Sequence, residues 1–297
     1  MRRSLGRAIA PDGLSIAVET SSWGPDPAPS VVAVHATGFC KEVLRPVVAA
    51  LSSLVEAGAV TAVDQRGHGS SDRPEPPFDW WDLGGDVLAV VEQIGGAGPV
   101  AVGHSAGGAA VAMAELMSPG AFSALVLVEP IIFPPPHLRQ EEGPLVDAAL
   151  KRKRLFASPA AAAENFAVKP AFAGWHPAAL IDYVEHGLRP SADGWVLACV
   201  PEVEAEFYRM GSAHDAWDGL DRLTLPVTLV AGERSTTHHG AYLEDLASRF
   251  GSPPVVDIVP EASHFVVMER PELIAAHVAA RLPVGAAASS AADNGRR

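Results

Sequence analysis

Cysteine is scarce, with Cys40 and Cys199 the only two in a chain of 297 residues. Two thiols cannot form a disulfide framework, and neither sits in a pair or quartet with zinc-ligand spacing, so both read as reduced and no metal site is expected. Long apolar runs are missing too. The longest candidates, such as Ala124 to Val128, are strand-sized, far short of the roughly 18 to 20 residues that cross a bilayer, so no membrane span is expected. Basic residues are in deficit, 22 Lys and Arg against 35 Asp and Glu for a net charge of -13. Such a surface repels phosphate backbones and anionic headgroups, which excludes nucleic acid and anionic membrane as expected partners. The basic start, Met1-Arg2-Arg3-Ser4-Leu5-Gly6-Arg7, meets Pro11-Asp12-Gly13 before any adequate apolar segment. It does not read as a secretory signal, and cytoplasmic residence is the default expectation.

What is present is enough apolar content, 48%, to bury an ordinary core. The length allows one large α/β domain or two small ones. Ala8 to Glu19 reads as a β-hairpin turning at Pro11-Asp12-Gly13. Beyond a Pro-rich loop, Val31 to Val34 is a continuous apolar run of the kind that fills a strand buried on both faces, and Lys41 to Ala57 reads as a helix stopped by Gly58. The unit recurs. Val60 to Val63, Val100 to Val102, Leu125 to Val128, Val227 to Val230 and Val255 to Val259 read as further buried strands. Helical stretches at Asp82 to Ile94, Gly107 to Met117, Ala241 to Phe250 and Pro271 to Leu282 alternate with them. This order implies an α/β fold: a mostly parallel sheet with helices on both faces. Between Phe133 and Leu220 no strand is evident, and the segment reads as an inserted helical cap (133–220) on a core formed by 1–132 and 221–284. Gly285 to Arg297, small and polar, reads as a disordered tail.

The strongest chemical signal is Gly103-His104-Ser105-Ala106-Gly107, lying between the strand Val100 to Val102 and a Gly- and Ala-rich helix. A serine on such a strand-to-helix turn has its hydroxyl projected above the sheet, and flanking glycines allow the close backbone contacts. Ser105 is therefore the expected nucleophile. The Ala106 N–H, at the helix start, is the first expected oxyanion donor, and Thr37, or else Ala36, in His35-Ala36-Thr37-Gly38-Phe39 is the second. His264, after the last strand, is the expected base, since a neutral imidazole can take the hydroxyl proton and return it. His35 reads as orienting the oxyanion loop. His68, His104, His137, His176, His186, His214, His238, His239 and His277 read as surface or loop residues.

These motifs resemble the α/β-hydrolase fold family over Arg7 to Leu282, together with Asp64-Gln65-Arg66-Gly67-His68-Gly69-Ser70-Ser71-Asp72 and Ser263-His264 followed by Glu269-Arg270-Pro271. The resemblance implies an eight-stranded sheet, a helical cap after the sixth strand, cofactor-free hydrolysis and a Ser-acid-His triad, with Asp64 to Asp72 a structural loop beside the site. The family's usual acid follows the seventh strand, but here Ala231-Gly232-Glu233-Arg234-Ser235 puts serine in its place. Glu129, ending the sixth strand at the family's second acid position, is favoured, with Glu233 the alternative.

Residues near the site expected to contact substrate are His35, Phe39, His104, Phe133, Phe172, Trp175 and Phe265, forming an apolar pocket. The run Lys151-Arg152-Lys153-Arg154 reads as a solvated helix face. Together these features point to a serine hydrolase of a small hydrophobic ester or lactone. Competing readings are a carbon–carbon bond hydrolase, disfavoured because no Gly-Pro-Gly oxyanion loop is present, a perhydrolase, and a weakly catalytic ligand receptor of the same fold.

Overall fold

The computed structural model describes residues 1–25, 30–96 and 98–283. It opens with an antiparallel ribbon of β1 (Arg2–Ile9) and β2 (Ser15–Trp23). Gly13 turns the chain at a φ of 89°, and Asp12 Oδ1 accepts the Leu14 N–H at 3.2 Å. The ribbon is longer than Ala8 to Glu19. β1 is an edge strand with nearly every side chain exposed, so no apolar alternation marks its first residues.

β3 (Ser30–Val34) leads into a 3-10 turn at Lys41–Leu44 and then α1 (Arg45–Leu54). The single helix expected over Lys41 to Ala57 is broken there, because the Lys41 N–H and ammonium turn inward to Asp64 at 2.7 and 2.8 Å and Pro46 restarts the helix in its first turn. β4 (Gly58–Val63), α2 (Trp81–Ile94), β5 (Val100–His104), α3 (Ala106–Met117) and β6 (Ala124–Val128) follow. After the insert come β10 (Val227–Gly232), α8 (Gly240–Ser248), β11 (Val255–Val259), α9 (Val266–Glu269) and α10 (Pro271–Ala279).

The insert holds α4 (Pro144–Leu150), α5 (Pro159–Ala167), α6 (Pro177–His186) and α7 (Pro201–Met210). It is not purely helical as expected. β7 (Leu155–Phe156), β8 (Leu188–Ser191) and β9 (Gly194–Leu197) form a small antiparallel sheet in the order β7-β9-β8. Strands this short have too few residues for a period of two to show; the Ala192-Asp193 turn leading into Gly194 is their one signal.

The main sheet has eight strands ordered β1-β2-β4-β3-β5-β6-β10-β11, antiparallel from β1 to β4 and parallel from there on. Alternation sorts its side chains into two cores. Val32, Val34, Ala101, Leu125, Leu127 and Leu229 face one layer, which includes α2 and α3, while Val31, Ala33, Val100, Val102, Val126 and Val128 face the other, with α1 and α10. Each buried Val or Leu contributes roughly 1.5 to 3 kcal/mol, so both faces must be covered. β11 was expected to be buried as well. As the other edge strand it leaves Val255, Val256 and Ile258 54%, 42% and 54% exposed.

The chain runs from β3 outward to β4, then returns to the other side of β3 as β5. That reversal opens a crevice at the carboxyl ends of β3 and β5, where ligands collect in sheets of this type. Among the described residues, no helix is long and apolar enough to cross a membrane. Gly285 to Arg297, expected to be disordered, lies outside the described residues.

Candidate active site

Ser105 joins β5 to α3 at φ 57° and ψ -115°, a conformation that costs an L-residue free energy. Its glycine neighbours make the turn possible. A Cβ on Gly103 would strike the Gly107 carbonyl, and one on Gly107 would strike the Val34 and His35 carbonyls. The Ser105 N–H is anchored to the Val128 carbonyl at 2.9 Å, and Ser105 itself is only 6% exposed.

His264 Nε2 lies 3.1 Å from Ser105 Oγ and its Nδ1 2.9 Å from Glu129 Oε2. With Nδ1–H donating to the carboxylate, Nε2 is free to accept from the serine hydroxyl. The His264 loop is braced twice. Glu269 accepts from the Ser263 N–H at 2.7 Å and from its hydroxyl at 2.5 Å, and His104 Nε2–H donates to the His264 carbonyl at 2.7 Å.

Glu129 is fully buried at φ 50° and serves as the acceptor for an entire set of donors. Oε1 takes the Gly232 N–H at 2.8 Å; Oε2 takes the Ser235 hydroxyl at 2.7 Å as well as His264. His238 Nδ1 stands 2.8 Å from Oε2, an ion-pair distance without linear hydrogen-bond geometry, while its Nε2–H donates to the Pro130 carbonyl at 2.8 Å. Burial pushes the Glu129 carboxyl up, but the His238 and His264 contacts outweigh it and hold the group well below the usual carboxylate range. Glu233 is exposed and accepts the Glu261 N–H at 2.9 Å, with no contact to His264.

Ser235, standing where the resemblance implies a carboxylate, instead donates to one. Its oxygen accepts the Thr237 and His238 N–H groups at 3.2 and 3.0 Å, which aims its proton at Glu129. Sequence reasoning missed this support, although a hydroxyl at the acid position was the available signal. Glu129, His238 and His264 also form the one group of possible metal ligands among the described residues. Their contacts are those of proton sharing, with His264 Nε2 committed to Ser105.

The loop after β3 is held rigidly. His35 Nδ1–H donates to the Ala36 carbonyl at 2.7 Å and Nε2 accepts the Gln65 N–H at 3.2 Å; the Gly38 N–H donates to His68 Nε2 at 2.8 Å. Ala36 and Thr37 line the cavity over Ser105, and the Ala106 N–H, first in α3, has no intrahelical acceptor. Asp64, at the head of the next loop, gathers Lys41 and the Ser70 N–H, and Arg66 is clasped by Asp86 at 2.7 and 2.8 Å.

That cavity measures about 570 Å3, in the range of small-molecule sites. Phe39, Phe133, Phe172 and Phe265 line it together with Phe166, Phe207 and Tyr208. Three expected substrate contacts do not. His35 and His104 are buried behind the loops they brace, and Trp175 packs edge-on against Phe39 at 5.0 Å, behind the wall. Of the histidines read as surface or loop residues, His68, His214 and His238 do lie in loops but are buried, and His104 is buried at the end of β5, each at most 4% exposed. A neutral imidazole can be buried where its N–H finds a backbone acceptor, as at His68, His104 and His214, although Nδ1 of His104 and of His214 has no hydrogen-bond partner among the described residues. Burial lowers His68 and His104 to about 3 and His214 to about 4. The basic run is not a helix face either: Lys151 is exposed, but Arg152 turns inward to the cavity and pairs with Glu204.

The alpha/beta hydrolase family model matches residues 31–277. The chain belongs to the alpha/beta hydrolase family. Membership supports a hydrolase as the enzyme class. Among family relatives, a 2-(acetamidomethylene)succinate hydrolase of Mesorhizobium japonicum is 27% identical over 217 residues, 71% of this chain and 74% of that one. A bifunctional esterase/perhydrolase of Acinetobacter calcoaceticus is 36% identical over 108 residues, 36% of this chain and 38% of its own. The crystal structure of an E-2-(acetamidomethylene)succinate hydrolase superposes with a TM-score of 0.78 at 24% identity, covering 93% of this alpha/beta hydrolase and 98% of the other chain.

Proposed function

We propose that this protein hydrolyses a carboxylic ester or lactone through an acyl-enzyme on Ser105. The observation that carries the reading is the unbroken line from Ser105 Oγ through His264 to a buried carboxylate, opening on an apolar cavity. Ser105 Oγ attacks the substrate carbonyl as His264 Nε2 takes its proton, and Glu129 steadies the resulting imidazolium. The N–H groups of Ala106 and Thr37 receive the oxyanion; such a donor is worth about 10² to 10³ in turnover. Collapse expels the alcohol, protonated by His264. Water, deprotonated by the same imidazole, then attacks the acyl-enzyme and releases the acid; in a lactone the alcohol remains tethered. Segment 133–220 acts as the cap, supplying cavity wall but no reacting group. Relatives whose names include esterase and hydrolase are consistent with this chemistry.

A fluorophosphonate probe followed by peptide mapping tests it, together with p-nitrophenyl esters of graded acyl length. Ser105 should carry the label, and Ser105→Ala should lose both label and turnover. Label on other residues alone, or anilides cleaved while every ester is refused, would overturn the ester reading.

A further inference from the structure

The cavity over Ser105 is walled largely by aromatic rings, yet it holds charge. Arg152 is ion-paired with Glu204 and donates to the Tyr183 hydroxyl at 2.7 Å, so its charge is answered within the wall. Lys169 is different. It lines the cavity half-buried, with its ammonium 5.4 Å from the centre of the Phe166 ring, and among the described residues no carboxylate lies within ion-pair distance of it. Burial and the positive charges of Arg152 and Lys153 push this ammonium below its ordinary value, and only Glu204 pulls the other way.

The charged side chains lining the cavity are therefore Arg152 and Lys169 against Glu204, with the exposed Lys153 adding positive charge from outside the wall. A cationic excess is notable in a chain of net charge -13. Lys151 is exposed and stands 3.8 Å from Asp147, whereas an ammonium drawn partly out of water beside like charges needs a partner. A carboxylate seated against Lys169 would supply that partner through a charge-assisted hydrogen bond. Ser105 and His264 line the same cavity, so Lys169 and the reacting centre open on one space.

We propose that Lys169 forms a carboxylate-binding subsite, so that the substrate carries a second, unreacting carboxylate besides its scissile acyl group. This rests on the hydrolase reading above and narrows it to half-esters and related derivatives of dicarboxylic acids. The aromatic walls then grip the connecting carbons while Lys169 sets the distance from the reacting carbonyl.

The test compares mono-p-nitrophenyl glutarate with the neutral p-nitrophenyl pentanoate on the wild type, Lys169→Met and Lys169→Arg, alongside calorimetric titration of glutarate and of neutral glutaramide. The wild type should favour the charged ester in kcat/KM by about tenfold or more, the effect of a single hydrogen bond to a charged group. Lys169→Met should bring that ratio towards one, and Lys169→Arg should retain most of it. A wild-type ratio at or below one, or one unchanged in Lys169→Met, would overturn the subsite. Should neither ester turn over, the hydrolase reading fails and calorimetry decides the subsite separately. Glutarate binding that Lys169→Met abolishes supports it; no glutarate binding, or equal binding by glutaramide, overturns it.

Discussion

Replacing Glu129 by glutamine exchanges one oxygen for an NH2 group, and the surrounding donors make that exchange costly whichever way the amide turns. The carboxylate accepts from the Gly232 N–H on Oε1 and from the Ser235 hydroxyl and His264 Nδ1 on Oε2. An amide has a single oxygen. If it faces His264, the NH2 group confronts the Gly232 N–H, and a buried donor left unpaired costs about 1 to 3 kcal/mol. If the oxygen faces Gly232, the NH2 group drives His264 to the tautomer with its proton on Nε2, which cannot accept from Ser105. In either orientation the imidazolium formed during attack loses its counter-charge. Loss of the acid in a serine triad costs about 10⁴ in kcat, equivalent to about 5 kcal/mol of transition-state stabilisation. Glu233→Gln should remain within about twofold of wild type, since an exposed carboxylate that accepts a single N–H has little to lose. The assay is kcat on p-nitrophenyl acetate, with far-ultraviolet circular dichroism to establish that each variant is folded. A folded Glu129→Gln retaining a tenth or more of the wild-type kcat would refute the reasoning, and a Glu233→Gln collapse would move the acid to that residue.

His238 is the second imidazole against Glu129, and His238→Ala, which opens a void beside the carboxylate and removes the bond to the Pro130 carbonyl, should lower Tm and reduce kcat by less than Glu129→Gln does. A kcat loss equal to that of Glu129→Gln in a folded variant would place His238 in the relay rather than beside it. The buried neutral histidines predict a pH effect: the folded-state values of His68, His104 and His214 lie at about 3, 3 and 4, below the ordinary 6.5, so the unfolded chain takes up protons first as pH falls. Their stabilising contribution is complete above 6.5 and is lost on descent towards those folded-state values; thermal melts should give a lower Tm near pH 5 than near pH 7, and an equal Tm would count against neutral burial.

Local pattern was sufficient for the parts of this molecule that depend on neighbours in the chain. Val31 to Val34, Val100 to Val102 and Leu125 to Val128 are apolar at every position because both faces of a central parallel strand are covered, and such a run is visible without knowing what covers it. Gly103 and Gly107 similarly announce the elbow, since the backbone crowding they relieve lies within a few residues of Ser105. Edge strands escaped that logic. Val255 to Val259 has the composition of a buried strand, and only its place at the end of the sheet order reveals that it is exposed.

The remainder was set by contacts between residues far apart in sequence. His238 has no local mark separating it from its neighbour His239, yet the fold buries the first against a carboxylate more than a hundred positions earlier and leaves the second exposed. Within Lys151-Arg152-Lys153-Arg154 the residue that turns inward is chosen by Glu204 and Tyr183, which α6 and α7 bring alongside. Sequence alone therefore determined the sheet, the elbow and the residue types able to carry out acyl transfer, because those follow from backbone geometry and periodic burial. Only the tertiary structure decided which carboxylate meets His264 and which cation in the cavity has no ion-pair partner among the described residues, because charges and hydrogen bonds pair by distance in space.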